Sequence, residues 1–302
     1  MFNTVATVIC NPAAPILDNA LAGRIMAALD PIDMSASRRE TLGEGVAEDF
    51  YCPGQGDATE IRSALLKALD GVPVDVVVQP AHRRPAKLLI ADMDSTIIEQ
   101  ECIDELADFV GKRVEISAIT ERAMRGELDF DGALRERVAM LKGLDEAKLE
   151  EAFRKRISLT PGASTLVRTM RARGAFTALV SGGFTFFTAR VAEAAGFNVD
   201  QANTLRLADG ALTGAVGEPI LGREAKREAL ERFANEQGVE LADAIAVGDG
   251  ANDLDMLRAA GLGVAFRAKP AVAAQADAVV SHGDLTALLY LQGIPQSDFV
   301  SD

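Results

Sequence analysis

The spacing of apolar positions divides the 302-residue chain into two unlike parts. In the first eighty residues, positions 4–9 read as a strand, and apolar side chains recur at helical spacing over 17–29. Residues 33–50 are polar and ambiguous, compatible with two short strands. Ile61, Leu65, Leu66 and Leu69 share one face of a helix over 59–69. The valine-rich stretch 74–78, held between Pro73 and Pro80, reads as another strand. The β-α-β-β-α-β order is that of a ferredoxin-like unit. Residues 80–85 are proline-bounded, polar and basic, as in a linker. Residues 1–80 are therefore predicted to form a small α+β domain, 81–85 a linker, and 86–302 the main body.

The main body follows a different rhythm. Leu88-Leu89-Ile90-Ala91 is a continuous apolar run, the pattern of a strand buried on both faces. Residues 97–158 are charge-rich and almost wholly helical in pattern. After Pro161-Gly162 the elements alternate: helix 163–173, strand 176–180, helix 185–195, helix 222–237, strand 244–247, helix 253–260, and short strands at 263–265 and 278–280. Gly174 and Gly196 stand where helix C-caps are expected. Asp209-Gly210, between 204–207 and 212–215, is a hairpin turn. The expected fold class is α/β. A Rossmann-like parallel sheet carries a helical insert at about residues 99–158, and the small α+β domain precedes it. In such a sheet the site forms beyond the carboxyl ends of the strands.

Composition narrows the partners. The net charge of −14 repels a phosphate backbone, and aromatic residues are too few, at 5% with no Trp, for stacking on bases. Nucleic acid is not expected. The three cysteines, Cys10, Cys52 and Cys102, form neither a disulfide framework nor a zinc pattern. Residues 1–17 lack a basic stretch, and Asn11, Pro12 and Pro15 interrupt their apolar run, so a signal peptide is not expected. No stretch reaches the roughly 18 uninterrupted apolar residues of a membrane span. The expected location is the cytoplasm.

Four short segments carry candidate chemistry. Asp92-Met93-Asp94-Ser95-Thr96 closes the strand 88–91 and crowds two carboxylates together. Ser181-Gly182-Gly183 follows strand 176–180 and offers a hydroxyl and backbone N–H groups to an anion. Lys226 sits on the helix that begins near Gly222. Gly248-Asp249-Gly250-Ala251-Asn252-Asp253 follows strand 244–247. Taken singly, each has an ordinary reading: a turn, a surface lysine, a helix cap. Together, Asp92, Asp94, Asp249 and Asp253 would converge with Lys226 alone against them. That arrangement calls for a cation, and hard oxygen ligands select Mg2+.

In this order the four segments, over residues 86 to about 290, resemble the haloacid dehalogenase-like (HAD) phosphotransferases. The resemblance implies that Asp92 is the nucleophile and forms an aspartyl-phosphate. Asp94 would serve as general acid and then base. Asp92, the Asp94 backbone carbonyl and Asp249 would hold magnesium. Ser181, Gly182 and Lys226 would neutralise the phosphoryl group, with Asn252 and Asp253 in support. An Asp two residues after the nucleophile also sets the chain apart from dehalogenases and ion-pumping ATPases of that superfamily. The insert would be a cap over the site.

Two cap segments narrow the resemblance. Glu101 stands nine residues after Asp92, and Gly126-Glu127-Leu128-Asp129-Phe130 runs into Leu134-Arg135-Glu136-Arg137-Val138. Both are similar to the phosphoserine phosphatases, in their longer bacterial form with an N-terminal extension. The likeness implies that Glu101 holds an ammonium and Arg137 forks a carboxylate, with Met124 and Phe130 as apolar walls. Ala133 departs from the pattern, since many relatives have Ser there. The substrate so implied is O-phospho-L-serine, hydrolysed in the last step of serine synthesis. Transfer of the phosphoryl group to another alcohol such as homoserine stays open. So does an amino-acid-binding regulator with an inactive phosphatase half, although the full catalytic set speaks against it. Residues 1–80 resemble ACT domains at the level of fold, and their apolar faces suit burial against a second copy of the chain, as a homodimer.

Overall fold

The computed structural model describes residues 2–34, 36–53, 57–82, 84–124 and 127–301, with the backbone alone at 2, 3 and 124. The N-terminal unit contains β1 (Phe2–Cys10), α1 (Asn19–Leu29), β2 (Arg38–Gly43), β3 (Ala47–Pro53), α2 (Ala58–Ala68) and β4 (Val74–Pro80). Its strands pair antiparallel in the order β2-β3-β1-β4, as a ferredoxin-like unit requires. The ambiguous stretch 33–50 thus resolves into β2 and the start of β3. Asp18 and Asp57 cap α1 and α2 by accepting from Leu21 N and Thr59 N. Ala6, Val8, Phe50 and Val76 pack under Ile25, Leu29, Ile61 and Leu65 of the two helices.

The main body starts with β5 (Leu88–Ala91) and continues into the cap helices α3 (Cys102–Phe109), α4 (Arg113–Met124), α5 (Phe130–Ala139) and α6 (Glu146–Arg156). There follow α7 (Ala163–Ala172), β6 (Phe176–Phe184), α8 (Thr185–Ala195), β7 (Val199–Asn203), and a hairpin of β8 (Leu205–Ala208) and β9 (Ala211–Val216). Then come α9 (Arg223–Gln237), β10 (Ala244–Gly248), α10 (Leu254–Ala259), β11 (Leu262–Phe266), α11 (Pro270–Ala273), β12 (Ala278–Val280) and α12 (Ala287–Leu291). The six-stranded sheet has the order β12-β11-β10-β5-β6-β7, and each of its pairs is parallel. The chain moves outward from β5 to β6 and β7, and α9 then carries it back across to β10. The switch point therefore falls at β5, where such sheets bind ligands.

Leu89 and Ala91 of β5 face one core and Leu88 and Ile90 the other, as a strand covered on both sides demands. Two differences from the sequence reading matter. Strand β7, Val-Asp-Gln-Ala-Asn, has no apolar alternation and escapes pattern reading, because an edge strand needs little apolar surface. Ser181–Gly183 do not form a turn before a helix. They continue β6 in extended form, with a register shift against β7 between Val180 and Phe184.

The chain crosses between body and cap twice, and the two crossings pair with each other. Ile98 bridges Leu159, Glu99 N donates to Ser158 O at 3.1 Å, and Thr160 N donates to Ile97 O at 2.9 Å. The β8–β9 hairpin braces the cap from the side through Gly143 N to Leu212 O, Leu212 N to Leu144 O and Glu146 N to Gly210 O.

The open face of the N-terminal sheet packs on the C-terminal segment of the main body. Ile9 and Val77 share a core with Leu288, Tyr290 and Leu291. Arg84, in the segment expected to be a polar linker, is buried at 7% exposure. Its guanidinium pairs with the fully buried Asp49, contacts Thr7 Oγ1 at 3.2 Å, and donates to the carbonyls of Tyr290 (2.7 Å) and Leu291 (3.0 Å). Those carbonyls end α12, at the negative end of its dipole, so a cation is well placed there. Gln79 Nε2 also donates to Leu291 O at 2.7 Å, and Asp75 accepts from the N–H groups of Ser281, His282 and Gly283.

Removing one member of such a pair leaves a buried charge alone. Arg84→Ala is expected to destabilise the chain by about 3–5 kcal/mol, a fall in Tm of roughly 6–20 °C. Lys87→Ala, which breaks the exposed pair with Asp243, should leave Tm nearly unchanged. Equal shifts in thermal melts of the two variants would refute a special role for Arg84.

Candidate active site

The four segments converge at the carboxyl ends of β5, β6 and β10, on one cavity of about 290 Å³. Asp92 is the first residue past β5 and is 5% exposed. Its Oδ1 accepts from Met93 N at 2.7 Å and lies 2.7 Å from Lys226 Nζ. Lys226, on the first turn of α9 and 2% exposed, also reaches Asp253 Oδ1 at 2.6 Å. Burial works against its charge, but Asp253 and Asp92 outweigh burial and hold the ammonium above the usual lysine range. Burial pushes Asp92 well above the ordinary carboxylate range, the nearby charge of Asp253 adds to this, and Lys226 opposes it.

Asp94 is two residues on, in a tight turn closed by Ile98 N donating to Met93 O at 3.0 Å. Its Oδ1 accepts from Cys102 N at 2.8 Å and its Oδ2 from Ser181 Oγ at 3.3 Å. Burial raises its pKa, and the Cys102 N–H partly offsets the rise. Gly183 must be glycine, because a Cβ there would lie 2.8 Å from Asp94 Oδ2. Gly183 N donates to Ser181 Oγ at 2.8 Å and aims that hydroxyl.

Asp249 follows β10. Its Oδ1 is 3.4 Å from Thr96 Oγ1, and burial with the charge of Asp253 raises its pKa to about 6. Thr96 thus links the turn after β5 to the loop after β10. Asp253 is fully buried and accepts from Gly250 N at 2.9 Å as well as from Lys226. Ligand oxygens of Asp92, Asp249 and Asp253 lie within 4.8 Å of one another. Three carboxylates this close, set against one ammonium, suit a hard divalent cation. Both oxygens of Asp253 already hold donors, so its place is to anchor Lys226 and the 249–253 loop. Asn252 and Gly182 line the cavity.

The cap supplies the opposite wall. Glu101, just before α3, accepts from Ser95 Oγ at 2.7 Å, and burial together with the charge of Asp94 raises it to about 8. Arg137 of α5 is 9% exposed; its Nη1 donates to Thr120 Oγ1 at 3.0 Å and its Nε to Ala133 O at 3.2 Å. Burial lowers its pKa, against the opposing pull of Glu101 and then Asp104. Phe130 closes over Gly182 from α5, where a Cβ on Gly182 would meet its ring at 2.9 Å. The side chain of Met124 lies outside the described residues.

Sequence reading missed Ser95 and Thr120, which hold Glu101 and Arg137. Ser95 left a trace in its motif position, and its φ of 55° shows the strained turn that aims it. Arg223, forked onto Asp255 at 2.6 and 2.5 Å, lines the same cavity and was also missed.

The profile of haloacid dehalogenase-like hydrolases matches residues 89–258. A phosphoserine phosphatase of Streptomyces coelicolor is 42% identical over 297 residues, covering 98% of this chain and 72% of that protein. A HAD family hydrolase from Salmonella enterica subsp. enterica serovar Typhi superposes with a TM-score of 0.83 at 30% identity, over 95% of this chain and 97% of its own. A phosphoserine phosphatase solved as a phospho-aspartyl intermediate analogue superposes with a TM-score of 0.65 at 42% identity, over 68% of this chain and 98% of its own. With over half its length inside the profile and a near full-length relative of this identity, the chain belongs to the haloacid dehalogenase-like hydrolases.

Proposed function

We propose that the chain is a magnesium-dependent phosphoserine phosphatase, hydrolysing O-phospho-L-serine to L-serine and phosphate. The observation that carries this reading is one cavity lined by Asp92, which Lys226 holds, with Asp94, Ser181 and Asp249 on one side and Glu101 and Arg137 on the other. The first set suits a phosphoryl group, and the second suits an ammonium and a carboxylate.

Asp92 attacks phosphorus with the carboxylate oxygen not held by Lys226, forming an aspartyl-phosphate. Asp94, whose pKa burial raises, passes a proton to the departing serine oxygen. Asp94 then takes a proton from water, which attacks the aspartyl-phosphate and releases phosphate. Ser181, the backbone of Gly182 and Lys226 neutralise the transferring oxygens. Asp92, Asp249 and the Asp94 carbonyl would hold Mg2+, which when bound neutralises phosphate charge. Phe130 seals the cavity, so water competes less with the leaving group. Residues 1–80 are read as a domain of their own that stabilises the body, and the chain as cytoplasmic.

The deciding experiment is an initial-rate comparison of phosphoserine, phosphothreonine, homoserine phosphate and sugar phosphates, with and without Mg2+. Phosphoserine should be preferred by at least tenfold in kcat/KM. Equal rates on sugar phosphates would defeat the assignment.

Metal affinity should follow the ionisation of Asp249. Its pKa is raised to about 6, and the cation binds the ionised form, so binding tightens as pH rises through 6 and releases protons only below it. Calorimetric titration with Mg2+ at pH 5 and pH 7 checks this, and a pH-independent Kd would contradict it.

Asp92→Asn should abolish turnover. Asp94→Asn should lose roughly 10²–10⁴-fold in kcat. Near-normal steady-state rates for either variant would overturn its role.

Arg137→Ala should cost phosphoserine about 2–5 kcal/mol of transition-state stabilisation. Phosphoethanolamine, which lacks the carboxylate, should be affected far less. A matching loss on both substrates would mean that Arg137 serves the cap or the phosphate instead.

A further inference from the structure

Asp104 lies on α3, one turn past Glu101. Its Oδ2 accepts from Ser117 Oγ at 3.0 Å, on α4. Its Oδ1 is buried and, among the described residues, is the one buried side-chain oxygen or nitrogen without a hydrogen-bond partner. A buried carboxylate oxygen left unpaired needs an explanation, since nearly all such atoms are paired.

The geometry of α4 supplies one. Ser117 and Thr120 are three residues apart and share a helix face. Ser117 holds Asp104, and the next rung, Thr120, holds Arg137 through Nη1. The two side chains are thus fastened to adjacent rungs of one helix. Arg137 is a buried cation without a salt bridge to any of the described carboxylates, and its bonds to Thr120 and Ala133 leave further N–H groups free. Asp104 ranks second, after Glu101, among the charges acting on that guanidinium.

We propose that Asp104 is a positioning residue for Arg137, its free Oδ1 accepting from the guanidinium when a substrate carboxylate draws the fork into the cavity. Asp104 orients the cation without touching substrate. The bond is charge-assisted and so both short and directional.

The proposal rests on the phosphoserine reading. Kinetics are measured for the wild type, Asp104→Asn, Arg137→Ala and the double variant, on phosphoserine and on phosphoethanolamine. Asp104→Asn should raise KM for phosphoserine by roughly ten- to a hundredfold, as expected for one lost hydrogen bond to a charged group. kcat/KM for phosphoethanolamine should stay within about twofold, and the substitution should add nothing once Arg137 is gone. Equal losses on both substrates, or additive losses in the double variant, overturn the proposal. Should Asp104→Asn fail to fold, Ser117→Ala removes the group that aims the carboxylate. It should show the same substrate-selective rise at smaller size, and no selectivity there is equally fatal. A wild type inert on phosphoserine overturns the functional reading and this proposal with it. An active wild type with an unselective Asp104→Asn overturns the proposal alone.

Discussion

The ammonium of Lys226, held between Asp92 and Asp253 at 2.7 and 2.6 Å, is the interaction on which the site depends. It joins three elements that meet nowhere else in sequence: the end of β5, the first turn of α9 and the loop after β10. Asp92, Asp249 and Asp253 crowd together with little access to solvent, so folding them without a counter-charge would be severely unfavourable. A lysine placed by the helix that crosses back over the sheet answers this constraint, and it does so before any metal arrives. Because Lys226 engages Asp92 through Oδ1, the other oxygen of that carboxylate is left for chemistry. The same ion pair therefore stabilises the switch point of the sheet and orients Asp92, the proposed nucleophile.

Much of this site was legible because its acidic residues follow apolar runs. A strand buried on both faces reads as continuous hydrophobicity, and carboxylates that end such a run stand out. That logic found Asp92, Asp94 and Asp249, and the order of motifs found Lys226. It could not find Thr120 or Ser117, which are ordinary helix residues until the fold sets them beside Arg137 and Asp104. Glu101 and Arg137 came from family resemblance; their charge pattern alone reads as solvated helix surface. Strand β7 was lost because its polar sequence carries no period. Ser181–Gly183 were placed after the end of their strand because two glycines mimic a break, whereas here they continue it and let Asp94 and Phe130 approach closely.

Arg84 shows the limit of local reading more sharply. Two prolines, a histidine and two arginines look like a solvated linker. The partners that bury Arg84 lie 35 residues upstream and more than 200 downstream, at Asp49, Tyr290 and Leu291. In the ferredoxin-like unit, α1 and α2 cover one face of the sheet and leave the other open. The open face rests on α12 of the same chain, so a second copy would have to use a different surface. The superposition on the Salmonella hydrolase over 95% of the chain extends across this N-terminal unit as well as the body.

The cap is tethered at its base and along one flank. Its two crossings pair at 97–99 and 158–160, beside the turn that carries Asp92 and Asp94. The β8–β9 hairpin holds its flank through backbone bonds to 143, 144 and 146. Among the described residues, the far edge meets the body by side-chain contact instead. The Phe130 ring rests on Gly182, and a Cβ at Gly222 would lie 3.2 Å from that ring. Both seats are glycines, one in β6 and one at the start of α9, so the cap wall and the body meet there with no side chain between them. Glu101 and Arg137 line the same cavity as Phe130, so the groups proposed to recognise the substrate's amino-acid end share a wall with the ring that covers Gly182.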